Sequence, residues 1–222
     1  MKLTTRTIKG MLIIVLCMAF ALLAILLASF AQPEQTRETL AAWQPISKPG
    51  DAASQSPVIY TTANETAILT RSNETDIIIM GGAGGTAKEG PRYSYYSRRW
   101  NSDNQSWQLS GISTQGYEHI ELSFMSKGSN TGPKNFTLEY SIDGFVWNPL
   151  KNNDDSWITY TVDADNKFHQ HGSFPLTSAA GNLDQLHIRF FNADMESVNG
   201  ETIKSAGTNY IADIIITGTP VE

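Results

Sequence analysis

The side chains best suited to chemistry in this chain are aromatic rings and arginines that lie close together between residues 93 and 107. Aromatic rings stack on the apolar faces of sugar rings, and an arginine holds a carboxylate or phosphate through two parallel hydrogen bonds. The cluster therefore predicts a surface that binds a neutral or acidic glycan. The alternative interpretation places the rings in a core or at a strand edge and leaves the arginines in solvent. The predicted ligand-binding residues are Tyr93, Tyr95, Tyr96, Arg98, Arg99, Trp100 and Trp107.

Two histidines have the spacing of half a metal site, His169 and His171. Residues two apart on a strand project to the same face, so both imidazoles could bind one ion. A zinc site needs a third ligand, and the spacing of His119 and His187 places neither of them nearby. Exposed polar residues near a turn explain the pair more simply.

The sequence contains no recognisable catalytic motif. It lacks a Gly-x-Ser-x-Gly elbow, a His-Glu-x-x-His motif and a recognisable triad. The cluster Gly82–Ala87 matches a dinucleotide fingerprint, but Gly90 and Pro91 end any helix that could hold a pyrophosphate. Glu121 and Glu139 are a carboxylate pair that strands could bring face to face, although surface strands routinely carry such residues. A protein without catalytic activity is favoured, and a secreted hydrolase is the weaker alternative.

Strands must position these side chains, because apolar and polar residues alternate along much of the chain. The alternation is clear over 120–124 and again over 136–142. A period of two predicts half-buried antiparallel strands. Asp143 and Gly144 predict a tight hairpin turn, since glycine tolerates the positive φ that such turns require. Many short strands without helical periodicity predict an all-β sandwich or barrel.

Three segments give the sequence a family resemblance. They read ISTQGYEHIELSF at 112–124, SNTGPKNFTLEYSIDGFVW at 129–147 and GTNYIADIIITGTP at 207–220. These segments resemble the jelly-roll modules of multidomain bacterial surface proteins, of the galactose-binding-like and carbohydrate-binding-module class. The resemblance covers about 57–221 and implies an antiparallel β-sandwich (jelly roll). Related sandwiches bind sugars or proteins, so it implies a fold more specifically than a ligand.

The same resemblance implies a structural calcium site. In similar sandwiches an acidic residue on the closing strand supports calcium together with oxygens from the first strands. Asp213 interrupts the apolar closing strand of this chain, and Glu65, Asn64 or Glu74 could supply the other oxygens. The implied metal ligands are Asp213 and Glu65. An Asp213 that simply faces outward is the alternative.

The N-terminus predicts export from the cytoplasm. Lys2, Arg6 and Lys9 precede an apolar run from residue 11 to residue 31. Basic residues before such a run predict a cytoplasmic N-terminus and translocation of the downstream chain. The run reaches the roughly 20 residues that span a bilayer, yet it ends in small residues that a signal peptidase would accept. Residues 1–31 are therefore predicted to be a cleaved signal peptide or a retained, helical signal anchor.

Composition defines the remaining segments and their environment. Residues 32–56 are rich in Pro, Gln, Ala and Ser and predict a flexible spacer, which leaves 57–222 as the β-domain. The net charge of -6 gives no positive field for nucleic acid. Cys17 is the only cysteine and lies in the apolar run. The exported part thus has no disulfide, which is ordinary for a bacterial surface protein.

These observations favour a non-catalytic extracytoplasmic module that binds an extracellular glycan or a surface protein. It would be secreted, or held at the cell membrane through residues 11–31. A structural role in a surface fibre or matrix is the alternative, by pairing of edge strands. A pilin-like precursor is disfavoured, because Val15 stands where pilins place a glutamate after cleavage at Gly10.

Overall fold

A computed structural model describes residues 36–45, 56–72, 78–81, 93–152 and 155–221. The compact unit that contains almost all of them spans Arg37–Glu222. No helix in these ranges is both long and apolar enough to cross a membrane. The predicted signal or anchor segment 1–31 and the glycine cluster Gly82–Ala87 lie outside the described residues.

The described residues form two antiparallel sheets. Sheet 1 has seven strands, β1 (Glu38–Trp43), β2 (Ile59–Tyr60), β4 (Ile78–Gly81), β5 (Tyr93–Ser97), β7 (Tyr117–Gly128), β11 (His169–Pro175) and β13 (Asn209–Pro220). Sheet 2 has six strands, β3 (Ile68–Arg71), β6 (Ser106–Ile112), β8 (Asn135–Ser141), β9 (Asn148–Pro149), β10 (Thr159–Thr161) and β12 (Leu186–Asn192). Two short 3-10 helices, Thr62–Asn64 and Ser178–Ala180, connect strands. The prediction of an all-β, antiparallel sandwich is confirmed for these residues.

The strand order in each sheet follows from the register. Sheet 1 runs β11-β7-β13-β1-β2, and sheet 2 runs β10-β8-β12-β6-β3, with β9 beside β8. The closing strand β13 pairs with β5 over 209–211 and with β1 over 214–218. Asp213 lies between these stretches, in an irregularity of the β7–β13 register, with φ of 45°. The bulge thus marks the point where β13 changes its neighbour.

The core lies between the two sheets and is lined by alternate residues of each strand. Phe124 of sheet 1 meets Phe190 of sheet 2 edge to face, with ring centroids 4.7 Å apart. Phe136 stacks on Tyr160 at 4.8 Å within sheet 2. Such aromatic pairs contribute about 0.5–1.5 kcal/mol beyond the burial of their area. The predicted alternation over 120–124 is confirmed, because its apolar members are buried and their neighbours are more exposed.

The prediction of a spacer over 32–56 is wrong for Glu38–Trp43. These residues form β1, which lies between β13 and β2 in sheet 1. Leu40 and Trp43 are fully buried in the core. A register shift between Thr39 and Ala41 adds one residue to the strand and breaks its period of two. The apolar residues of β1 therefore lack the regular spacing that predicts a strand.

Candidate functional site

The outer face of sheet 2 carries a row of polar side chains that crosses four strands in register. Arg189 of β12 lies opposite Glu139 of β8 on one side and opposite Gln108 of β6 on the other. Gln108 in turn lies opposite Thr70 of β3. These four residues, the polar row, alternate with core residues and so point away from the core. Neighbouring strands are about 4.8 Å apart, so the row extends about 14 Å.

An ion pair lies within the polar row. The Nε and Nη2 atoms of Arg189 are each 2.5 Å from Oε2 of Glu139. The two side chains are only 21% and 16% exposed. The other carboxylate oxygen, Oε1, and the other guanidinium nitrogen, Nη1, have no partner among the described residues. The pair therefore still offers one acceptor and one donor, on opposite sides of the ion pair, in a geometry that neighbouring side chains hold.

Two aromatic rings flank the guanidinium of Arg189. Its central carbon is 4.4 Å from the ring centroid of Trp147 and 4.7 Å from that of Phe191. Both rings are partly exposed. Cation–π attraction of about 0.5–2 kcal/mol holds each ring against the cation. The arrangement combines ring faces with hydrogen-bonding groups, which are the two features that a sugar ring can use.

The loop between β8 and β9 displays apolar side chains in an ordered turn. Phe145 is 87% exposed and Val146 is 62% exposed. The backbone N–H groups of both residues donate to Oδ1 of Asp143 at 2.8 Å. These hydrogen bonds, with one from the hydroxyl of Ser141, hold the pKa of Asp143 below its usual range. Gly144 has the positive φ that was predicted, 75°, but the connection from β8 to β9 spans residues 142–147 and is therefore longer than a tight turn.

Two further apolar side chains are exposed on sheet 2. Trp157 precedes β10 and is 60% exposed. Because Ile158 is buried in the core, Trp157 faces outward at the edge of the sheet. Ile142 is 58% exposed. The predicted alternation over 136–142 therefore fails at Ile142, since β8 ends at Ser141 and the turn begins there.

The predicted glycan surface between residues 93 and 107 is wrong for most of its rings. Trp100 and Trp107 are fully buried and pack against each other in the core. Their indole N–H groups donate to the Ser97 carbonyl at 3.1 Å and to Oδ1 of Asn209 at 2.8 Å. Tyr95 is also in the core, where burial raises the pKa of its hydroxyl. None of these three rings can stack on a ligand, because the core already covers them.

The other members of that cluster lie on or beside sheet 1. Tyr96 is 6% exposed and packs on Tyr210, with ring centroids 5.1 Å apart. Arg98 and Arg99 are exposed, and Tyr93 is partly buried. Because β5 alternates between the core and the outer face of its sheet, the seven predicted residues do not share one surface. Binding through the exposed members stays a prediction.

The calcium site is not assembled in the described part of the chain. No group of three or more His, Cys, Asp or Glu side chains there could hold a metal ion. Glu65 is exposed beside a 3-10 helix, whereas Asp213 lies in β13 of sheet 1, where burial raises the pKa of its carboxyl. Asn64 is fully buried, and its amide bonds with Thr61 and with the backbone of Ser113. Its oxygen therefore serves the fold, and Glu74 lies outside the described residues.

Neither candidate pair of ionisable residues forms a shared site in the described part of the chain. His171 stacks on the core ring of Phe124, whereas His169 turns towards Asp165, with Nε2 to Oδ1 at 2.9 Å. Glu139 belongs to sheet 2, and Glu121 belongs to sheet 1, where it pairs with Arg37. The two glutamates therefore do not face each other across neighbouring strands, as a catalytic pair would.

Sequence reasoning considered Glu139 only in a carboxylate pair with Glu121, and it missed the other residues that carry this site, namely Arg189, Gln108, Trp147 and Phe191. Their signal was the outward half of each alternating strand, whose polar members were interpreted as ordinary solvent-facing residues. Only the pairing of β8 with β12, and of β12 with β6, brings them together. Strand pairing between distant segments is not encoded in the local pattern.

The chain matches no family model and no curated protein. Solved structures similar to it include the xylan-binding domain CBM22-1 of Xyn10C from Paenibacillus barcinonensis, 12% identical, covering 69% of this chain and 87% of that one, with a TM-score of 0.35. The K1 cleaved adhesin domain of Lys-gingipain from Porphyromonas gingivalis is 10% identical, with coverage of 72% and 92% and a TM-score of 0.42. The N-terminal cellulose-binding domain of β-1,4-glucanase C from Cellulomonas fimi is 12% identical, with coverage of 66% and 90% and a TM-score of 0.35. Carbohydrate-binding modules, the class that the sequence resembles, are thus among these neighbours. At such low similarity they carry no argument about the ligand of this chain, which has to follow from its own side chains.

Proposed function

We propose that this domain is a non-catalytic, extracytoplasmic module of the jelly-roll type that binds a glycan on the outer face of sheet 2. The observation that carries the proposal is the Arg189–Glu139 pair, which lies against the rings of Trp147 and Phe191. Sugar hydroxyls both donate and accept hydrogen bonds, so the acceptor and the donor that the pair still offers suit hydroxyls along a glycan chain. The apolar face of the same sugar ring stacks on an aromatic ring.

The extent of the site favours a glycan chain over a single sugar. The polar row crosses about 14 Å of open sheet, from Glu139 to Thr70. Trp157 adds an exposed ring at the edge of the same sheet. A linear chain that lies across the strands would meet these groups one after another, so several weak contacts would add up.

A surface protein is the second candidate partner. Phe145 and Val146 are exposed on a turn whose backbone is held by Asp143. An apolar tip of this kind loses little conformational entropy when another protein covers it. Export, and with it a location outside the cytoplasm, is supported by the basic and apolar N-terminal sequence. Export and the extracytoplasmic location are parts of the proposal.

A glycan array tests the proposal. The wild-type protein is expected to bind a defined set of glycans, and Trp147→Ala is expected to lose them. Tyr60→Ala is the matched control, because Tyr60 is an exposed ring in sheet 1 and does not belong to the polar row. Blank arrays for the wild type, or binding that survives Trp147→Ala and Arg189→Ala, would remove glycan binding at this face. Capture of a surface protein that requires Phe145 would favour the second candidate.

A further inference from the structure

A second row of side chains crosses the outer face of sheet 1, on the opposite side of the domain from the polar row. Tyr210 of β13 lies opposite Tyr96 of β5 and opposite Lys127 of β7. Phe168 directly precedes β11, and the first residue of β11 lies opposite Ser126, which is next to Lys127 in β7. The ring of Phe168 contacts both Lys127 and Tyr210. These four residues are called the aromatic row.

Lys127 is the exceptional member of the aromatic row. The residue is only 2% exposed, and its Nζ is 4.8 Å from the ring centroid of Tyr210 and 5.3 Å from that of Phe168. No carboxylate and no hydrogen-bond acceptor partners this ammonium in the described part of the chain. The two rings thus cover the ammonium, and the partly buried Phe168 side chain would have to move aside for a ligand to reach it.

A buried cation without a counter-charge is unfavourable. Burial lowers the pKa of Lys127, and the two rings offset only part of the lost hydration. Other cations of the described residues are better matched: Lys134 pairs with Glu196, and Lys151 pairs with Asp155. Lys127 thus retains an unused capacity for a charge-assisted hydrogen bond, in a place where such a bond is strong.

We propose that Lys127, Tyr210 and Phe168 form a second binding site, which takes the carboxylate of an acidic sugar such as a uronic acid. The ammonium would bind the carboxylate, and the flanking rings would contact the apolar face of the sugar. Arg98 adds an exposed cation at the β5 end of the row, 5.3 Å from the ring centroid of Tyr96. A row of rings suits a chain of sugars better than an acidic peptide, whose contacts would lie mainly along its backbone.

The site goes beyond the proposed function, because it lies on the other sheet and selects a charged ligand. The domain as a whole carries a net charge of -6, so a general positive field would not explain the binding of an acidic glycan. The local ammonium would have to account for it.

Calorimetric titration of the full-length protein with a galacturonic acid trisaccharide tests the site. The wild type is expected to bind it at least about tenfold more tightly than an uncharged galactose trisaccharide. Lys127→Met, which keeps the apolar stem, is expected to remove that preference. Lys151→Met is the matched control, because Lys151 is more exposed and already paired with Asp155. Phe168→Ala provides a second variant should Lys127→Met fold poorly.

Two results would overturn the inference. One is an unchanged preference for the acidic trisaccharide in both Lys127→Met and Phe168→Ala. The other is equal binding of a triglutamate peptide, which would assign the site to acidic protein segments. Arg189→Ala separates this inference from the proposed function: it is expected to abolish binding of the uncharged glycans found on the array and to leave the Lys127-dependent preference intact.

Discussion

Arg189 and Glu139 lie directly opposite each other on neighbouring antiparallel strands, and Nη2 of Arg189 is 2.5 Å from Oε2 of Glu139. The flanking residues Ile188 and Leu138 are fully buried in the core. The same register that buries these two apolar residues therefore places the charged pair on the outer face. A slip of one residue would turn the apolar residues of one strand outward and separate the charged pair, so the core also determines the geometry of the site.

Removing either ring beside Arg189 should weaken glycan binding without unfolding the domain. Trp147→Ala and Phe191→Ala are each expected to reduce affinity about tenfold, because each loses a stacking surface. Isothermal titration with the best glycan from the array measures the effect. Tyr60→Ala is the control, since Tyr60 is an exposed ring in sheet 1. Equal losses in the control would point to a general effect of removing surface rings.

The Arg189–Glu139 pair should also contribute modestly to stability. A double-mutant cycle with Arg189→Met and Glu139→Gln is expected to give a coupling energy of about 1 kcal/mol, because both side chains are mostly buried and solvent screens their attraction only in part. Urea unfolding of the four proteins measures it. A coupling energy indistinguishable from zero would mean that the pair serves binding alone.

Asp143 should keep the loop between β8 and β9 ordered. Asp143→Ala is expected to increase the mobility of Phe145 and Val146, because their amides lose their acceptor. The pKa of Asp143 is lowered in the fold, so the ordered loop should persist at neutral pH and loosen only as the pH falls through that lowered pKa. NMR order parameters of the two amides measure both effects. Asp184→Ala, which changes an exposed carboxylate elsewhere, should leave them unchanged.

His171 should make stability fall in mild acid. Burial lowers its pKa to about 4, whereas the unfolded chain has the ordinary value of 6.5. The unfolded state therefore binds more protons between these values. Because His171 is only partly buried, solvent screening reduces the effect, and stability should drop by about 2 kcal/mol as the pH falls from 7 to 4. Urea midpoints across that range measure the drop. His171→Gln should flatten the curve, whereas His119→Gln, at a largely exposed histidine, should preserve it.

The strand β1 should be essential to the domain. Leu40→Ala is expected to destabilise it by about 3 kcal/mol, because Leu40 is fully buried between the sheets. Thr39→Ala, at a less buried position of the same strand, should cost much less. Urea unfolding compares the two variants. If Leu40→Ala had no effect, residues 38–43 would behave as the spacer that composition predicts.

Much of the architecture could be predicted from local patterns. The strands around Leu122 and Leu138 follow a period of two. Gly144 adopts the positive φ that the connection between β8 and β9 requires. These features depend on residues that are close in sequence. Strand β1 could not be predicted in this way, because its bulge displaces Leu40 from the regular period and its partners lie far along the chain.

The candidate site shows the same division. The sequence by itself determined that rings and cations are plentiful and that alternate residues of each strand face outward, because both follow from residue type and the geometry of an extended chain. Only the tertiary structure decided which rings are available. It buried Trp100 and Trp107 between the sheets and left Trp147 beside Arg189 on the surface. The reason is that burial depends on how distant strands pair, and a ring can stack on a ligand only where no neighbouring strand already covers it.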